Sequence, residues 1–110
     1  MSTLKSFEIS VINLLTAGVI PKSRIDRLYT NGELVSLDFT GAGYLLTLRH
    51  SDLPVVRSVL SDPHVNGKIG ELLTGFIVII ENQKLTLECF AYGDDAFPQN
   101  FRELDIAVFV

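Results

Sequence analysis

At 110 residues, 47% of them hydrophobic, the chain can build one domain with a real core but is too short for two. Its net charge of −4 argues against a basic nucleic-acid footprint, and a single cysteine, Cys89, rules out an internal disulfide or a cysteine zinc framework. Ile9 to Ile20 is apolar-rich but interrupted by Asn13 and Thr16, so it is too short and polar to span a bilayer and makes a poor signal peptide. A reducing, cytoplasmic setting without membrane attachment is expected.

Leu4, Phe7, Val11, Leu14 and Leu15 recur at helical spacing, with Ser2 or Thr3 as the cap and Gly18 past the end. A helix over about 3–17 is expected. Pro21 opens a second, shorter helix with Ile25 and Leu28 turned inward, and Asn31-Gly32 stops it.

Glu33 to Thr40 then alternates as a strand, and Tyr44 to His50 returns after a turn at Gly41-Ala42-Gly43. The register that aligns the apolar sets pairs Phe39 with Tyr44, Leu37 with Leu46 and Val35 with Leu48. Ser51-Asp52-Leu53-Pro54 reads as a helix start, followed by a stripe of Val55, Val56, Val59 and Leu60. Asp62-Pro63 would end that helix, and 64–74 gives no regular pattern.

Gly75 to Tyr92 is the strongest stretch. Phe76 to Ile80 is apolar without a break, the mark of a strand covered on both faces. After Glu81-Asn82-Gln83-Lys84 the pattern alternates, with Leu85, Leu87, Cys89 and Ala91 on a core face. A loop and a last strand, Glu103 to Val110, complete the chain. The order is ααββαβββ: two N-terminal helices and one mid-chain helix on a bent, mainly antiparallel sheet of about five strands. No repeat or linker divides it, so 1–110 reads as one α+β domain.

Catalytic motifs are lacking. His50 and His64 have no ligand spacing, so no metal or cofactor is expected, and Cys89 sits on a core face where a thiol is inert. The enzymatic or small-molecule alternative needs a cavity between sheet and helices, with Asp38 or His50 as its acid–base group. A binding surface has more to rest on. All the net charge lies after Ile79, where Glu81, Glu88, Asp94, Asp95, Glu103 and Asp105 face only Lys84 and Arg102. If the last two strands are neighbours, their non-core side carries Glu88, Phe90 and Tyr92 beside Glu103, Asp105 and Phe109. With Asp94 and Asp95 in the adjoining loop, Glu88, Phe90, Tyr92, Glu103 and Asp105 form an expected docking face for a basic protein.

In size, acidity and lack of a catalytic set the chain is similar to bacterial immunity proteins that block toxic nucleases. That likeness lies in composition rather than in a residue pattern. It implies a toxin-neutralising inhibitor; dimerisation of the chain through its sheet is a further option.

Overall fold

The structure, a computed structural model, describes residues 4–93 and 96–110. Helix α1 is Ser6–Thr16. The expected caps Ser2 and Thr3 lie outside the described residues. Lys5 stands at the N-cap, and the Glu8 carboxylate reaches back to accept its backbone N–H at 2.8 Å. The chain leaves α1 through Gly18, whose φ of 77° suits glycine at a helix C-terminus. Helix α2, Lys22–Asn31, follows Pro21 and buries Ile25 and Leu28.

The remainder is β-structure: β1 Glu33–Phe39, β2 Gly43–Arg49, β3 Ser58–Ile69, β4 Leu72–Glu81, β5 Lys84–Ala91 and β6 Ala107–Phe109. They form one sheet in the order β1-β2-β5-β4-β3-β6, with every neighbouring pair antiparallel. The class is therefore α+β, with two helices on a six-stranded sheet.

Alternation within the strands gives the sheet two different faces. On one, Tyr44, Leu46 and Leu48 of β2, Leu85, Leu87 and Cys89 of β5, and Phe76, Val78 and Ile80 of β4 are buried. Phe7, Val11, Ile12 and Leu15 of α1 and Ile25 and Leu28 of α2 complete the same cluster. Phe97 and Phe101, their rings 4.7 Å apart, pack there against Tyr44.

A buried ionic junction fastens the C-terminal part of the chain to α1. Glu8 is fully buried, and its two oxygens accept from four donors. These are the Lys5 N–H, the Tyr44 hydroxyl at 2.6 Å, and Arg102 Nε and Nη2 at 2.8 and 2.9 Å. Arg102 belongs to a single 3₁₀ turn, Phe101–Glu103. Burial, then the Glu8 charge and hydrogen bond, push the Tyr44 hydroxyl far above the ordinary tyrosine range. The Glu8 hydrogen bond raises Arg102 further, so the guanidinium stays charged.

Several expectations need correcting. There is no mid-chain helix: residues 50–57 form turns with Leu53 buried, and β3 begins at Ser58. Three valines in the expected stripe explain this, since β-branched side chains lose rotamer freedom in a helix and favour strands. The valines of that stripe are exposed, Val56 at 78%, and only its last member, Leu60, packs against the core. Asp62-Pro63 does not stop the element; β3 runs through it with a register irregularity between Leu60 and Val65, where the sheet tolerates proline. The unreadable 64–74 is the end of β3, a turn at Gly70-Glu71 and the start of β4.

The β1–β2 register matches at Phe39–Tyr44 and Leu37–Leu46. An irregularity between Leu34 and Ser36 then places Leu34, not Val35, opposite Leu48. The last strand shrinks to Ala107–Phe109. It pairs with β3, so β4 and β3 separate it from β5, and the two expected neighbours are apart.

Candidate protein-docking site

The second face of the sheet is covered by neither helix. Its residues form rows that the registers fix. Thr47, Thr86, Ile79 and Val59 make one row, and the hydroxyls of Thr47 and Thr86 lie 3.0 Å apart. Asp38, Leu45, Glu88 and Ile77 make the next, followed by Gly43, Phe90, Gly75, Asn66 and Phe109. The apolar members stand half-buried or open, with Val59, Tyr92, Phe109 and Leu73 between 37% and 51% exposed.

Backbone close to Phe90 sets how its ring lies. A Cβ on Gly75 would sit 2.6 Å from both the Phe90 ring and the Tyr92 hydroxyl, so the two rings occupy the space a side chain there would fill. They meet edge to face at 5.6 Å, and the Tyr92 hydroxyl donates to Asn66 Oδ1 at 3.0 Å. The result is a braced aromatic ledge on the open face, away from a shallow hollow of about 270 Å³ beside Arg57, Ile79, Glu81 and Thr86.

Of the expected docking residues, Glu88, Phe90 and Tyr92 lie together here, and Phe109 stands three strands away in the Phe90 row. Glu103 does not: it sits in the 3₁₀ turn and pairs with Lys5, ahead of α1, at 3.1 Å. Asp105 is exposed in the segment leading to β6. Asp94 and Asp95 lie outside the described residues.

Ile77, Leu45 and Asp38 belong to the face and were missing from the expected set. For Ile77 the sequence signal was the unbroken run Phe76 to Ile80, whose odd-numbered members point here.

The charges on this face balance, so the acid excess of the sequence does not gather on it. At one end Arg49 holds Glu33 at 3.2 Å and Arg57 holds Glu81 at 3.0 Å, next to Lys84. Lys68 lies at the other end. Between them stand Asp38 and Glu88, flanking Leu45, and neither joins an ion pair among the described residues.

The features an enzyme would need are dispersed. Asp38 and His50 sit at opposite ends of the β1–β2 hairpin. His50 Nδ1 accepts the Asp52 backbone N–H at 3.0 Å, while the Asp52 carboxylate binds Arg27, which holds its pKa below the usual range. Burial pushes the Cys89 thiol up to about 12, so it is no nucleophile at neutral pH. No group of three His, Cys, Asp or Glu could hold a metal among the described residues.

A hollow of about 300 Å³ between the helices is lined by Asn13, Thr16, Gly18, Lys22 and Ile25, without a carboxylate or imidazole. The interface between sheet and helices is filled by the core side chains themselves. Among the described residues no helix is long and apolar enough to cross a membrane. Comparison with protein-family models, curated proteins and solved structures finds no match.

Proposed function

We propose that this chain is a non-enzymatic binding protein that docks another protein on the open face of its sheet. One observation carries the reading. Phe76 to Ile80 has the composition of a strand covered on both faces, yet only Phe76, Val78 and Ile80 are buried within the chain. Ile77 and Ile79, with Leu45, Phe90 and Leu73 around them, form a patch of the kind that marks an interaction surface.

The preferred partner is basic. The carboxylates of Asp38 and Glu88 in the middle of the face are free to pair, and the Phe90–Tyr92 ledge offers rigid contact area beside them. With its acidic balance and lack of a catalytic set, the chain fits an immunity or antitoxin-type inhibitor of a nuclease-like toxin, acting in the cytoplasm, where a free buried Cys89 stays reduced.

The test is co-purification from the native lysate with wild-type protein and four variants, each checked for folding by circular dichroism. Ile77→Asp, Glu88→Lys and Phe90→Ala should lose a protein that the wild type retains. Glu103→Lys, away from the face, should keep it. Face variants that retain every wild-type companion would sink the proposal. A wild-type dimer that Ile77→Asp dissolves would assign the face to a second copy instead.

A further inference from the structure

We infer that the partner docks by adding an extended segment to the free edge of β1, one that alternates apolar with basic side chains. This rests on reading the chain as a protein-binding module, and it specifies the element that is bound.

The two edges of the sheet are unequal. At one end β6 offers three residues, whereas at the other β1 has seven and pairs only with β2 among the described residues. The Thr40 N–H donates to the Gly43 carbonyl at 3.0 Å, which fixes the phase of the ladder. In an antiparallel pair the bonded positions alternate, so Ser36 and Asp38 bond to β2 while the N–H and C=O of Leu37 and Phe39 point outward. The irregularity at Leu34–Ser36 limits the usable edge to the stretch up to Thr40.

Side chains set which segment fits. Leu37 and Phe39 are half-buried on the helix side and pack against the core, so a guest strand needs apolar residues there. On the open side the guest residue opposite Asp38 would stand about 5 Å from it, with Glu88 two strands further in. A lysine or arginine at that position meets an unpaired carboxylate, whereas an acid would be repelled. The same rule disfavours a second copy in the register that bonds Leu37 to Phe39, where Asp38 would face Asp38 directly. Strand addition of this kind takes affinity from main-chain bonds and selectivity from alternate side chains.

The probe is a capped peptide of about seven residues alternating valine and lysine, long enough to cover a strand of this size. Controls are a valine–glutamate analogue and an N-methylated lysine peptide that cannot complete the ladder. Amide exchange of the whole chain is followed by NMR. The lysine peptide should slow exchange at Leu37 and Phe39 about tenfold at ten times its dissociation constant. Both controls should leave these amides unchanged, and Asp38→Lys should transfer the preference to the glutamate peptide.

No slowing at millimolar lysine peptide, or equal slowing by the glutamate peptide, overturns the inference. So does protection of Leu37 and Phe39 that grows with protein concentration alone, since a second copy would then hold the edge. Loss of the native partner in Ile77→Asp, with β1 unprotected by peptide, would keep the binding module and remove strand addition. Selective protection of β1, with a partner indifferent to the open face, would keep strand addition and remove the face.

Discussion

Glu8 shows how much one side chain can be asked to hold. Its carboxylate is shut off from water, and its charge is tolerable because three side-chain donors and one backbone donor surround it. Removing one partner should cost more than removing both. Arg102→Leu leaves a buried carboxylate uncompensated and should lose about 3–5 kcal/mol. The double variant Glu8→Leu/Arg102→Leu should lose clearly less than the two single costs added together. Urea unfolding measures all three, and strictly additive losses would show that the ions do not depend on each other. Nothing in the sequence marks this pair, because residues so far apart meet only once the whole sheet is built.

Among the elements, β4 is where the two faces can be told apart by experiment. Val78→Asp puts a charge without a partner into the core and should abolish folding. Its neighbour Ile77 points to the open face, so Ile77→Asp should remain folded and cost about 1 kcal/mol, the span of strand preference. Thermal unfolding followed by circular dichroism distinguishes the two, and a soluble Val78→Asp with a native midpoint would reverse the assignment of faces. A second test at this scale is Gly43→Ala. A Cβ there would lie 1.8 Å from the Cys89 carbonyl oxygen, so β2 and β5 would have to part, at about 1–3 kcal/mol. Preserved stability would mean that the hairpin end is looser than it looks.

Both N-terminal helices, the β1–β2 hairpin and the β4–β5 hairpin were legible because period and turn chemistry agree there. The β4–β5 turn even uses two residues of positive φ, Asn82 and Gln83, as a two-residue hairpin requires. The mid-chain helix failed because proline and aspartate start signals outweighed three valines. The candidate docking face was half legible. Glu88, Phe90 and Tyr92 share it through alternation, a local property, while the neighbours of β5 depend on strand order, which no local pattern encodes. Glu103 was misplaced because the last strand is only Ala107–Phe109, which leaves Glu103 in the 3₁₀ turn.

For the whole molecule, the buried acids set an alkaline limit. Cys89 titrates near 9.0 when exposed and is pushed up to about 12, chiefly by burial; Tyr44, ordinarily near 10.0, is raised as well. Each therefore keeps its proton longer in the folded state. The Cys89 contribution is fully present below pH 9 and is lost as pH rises from 9 to about 12, and that of Tyr44 falls from about pH 10 upward, because the unfolded chain ionises first. The denaturation midpoint should hold steady from pH 7 to 8.5 and fall above about 9. Cys89→Val should make that fall shallower. A midpoint that rises above pH 9 would contradict the burial of both groups.

The junction between Glu8 and Arg102 also has a consequence for how the protein is made. Synthesis runs from residue 8 to residue 102, so the carboxylate is finished long before the cation it needs. Until then α1 lacks its ionic partner and the last strand, β6, although β1 to β5 have already been made. The nascent chain can therefore pair its first five strands but not complete the native core, which also needs Phe101, Ile106 and a cation for the buried Glu8. Ribosome-bound chains ending before residue 102 should be cut by protease as readily as unfolded ones, with resistance appearing in one step once the arginine is free to reach back.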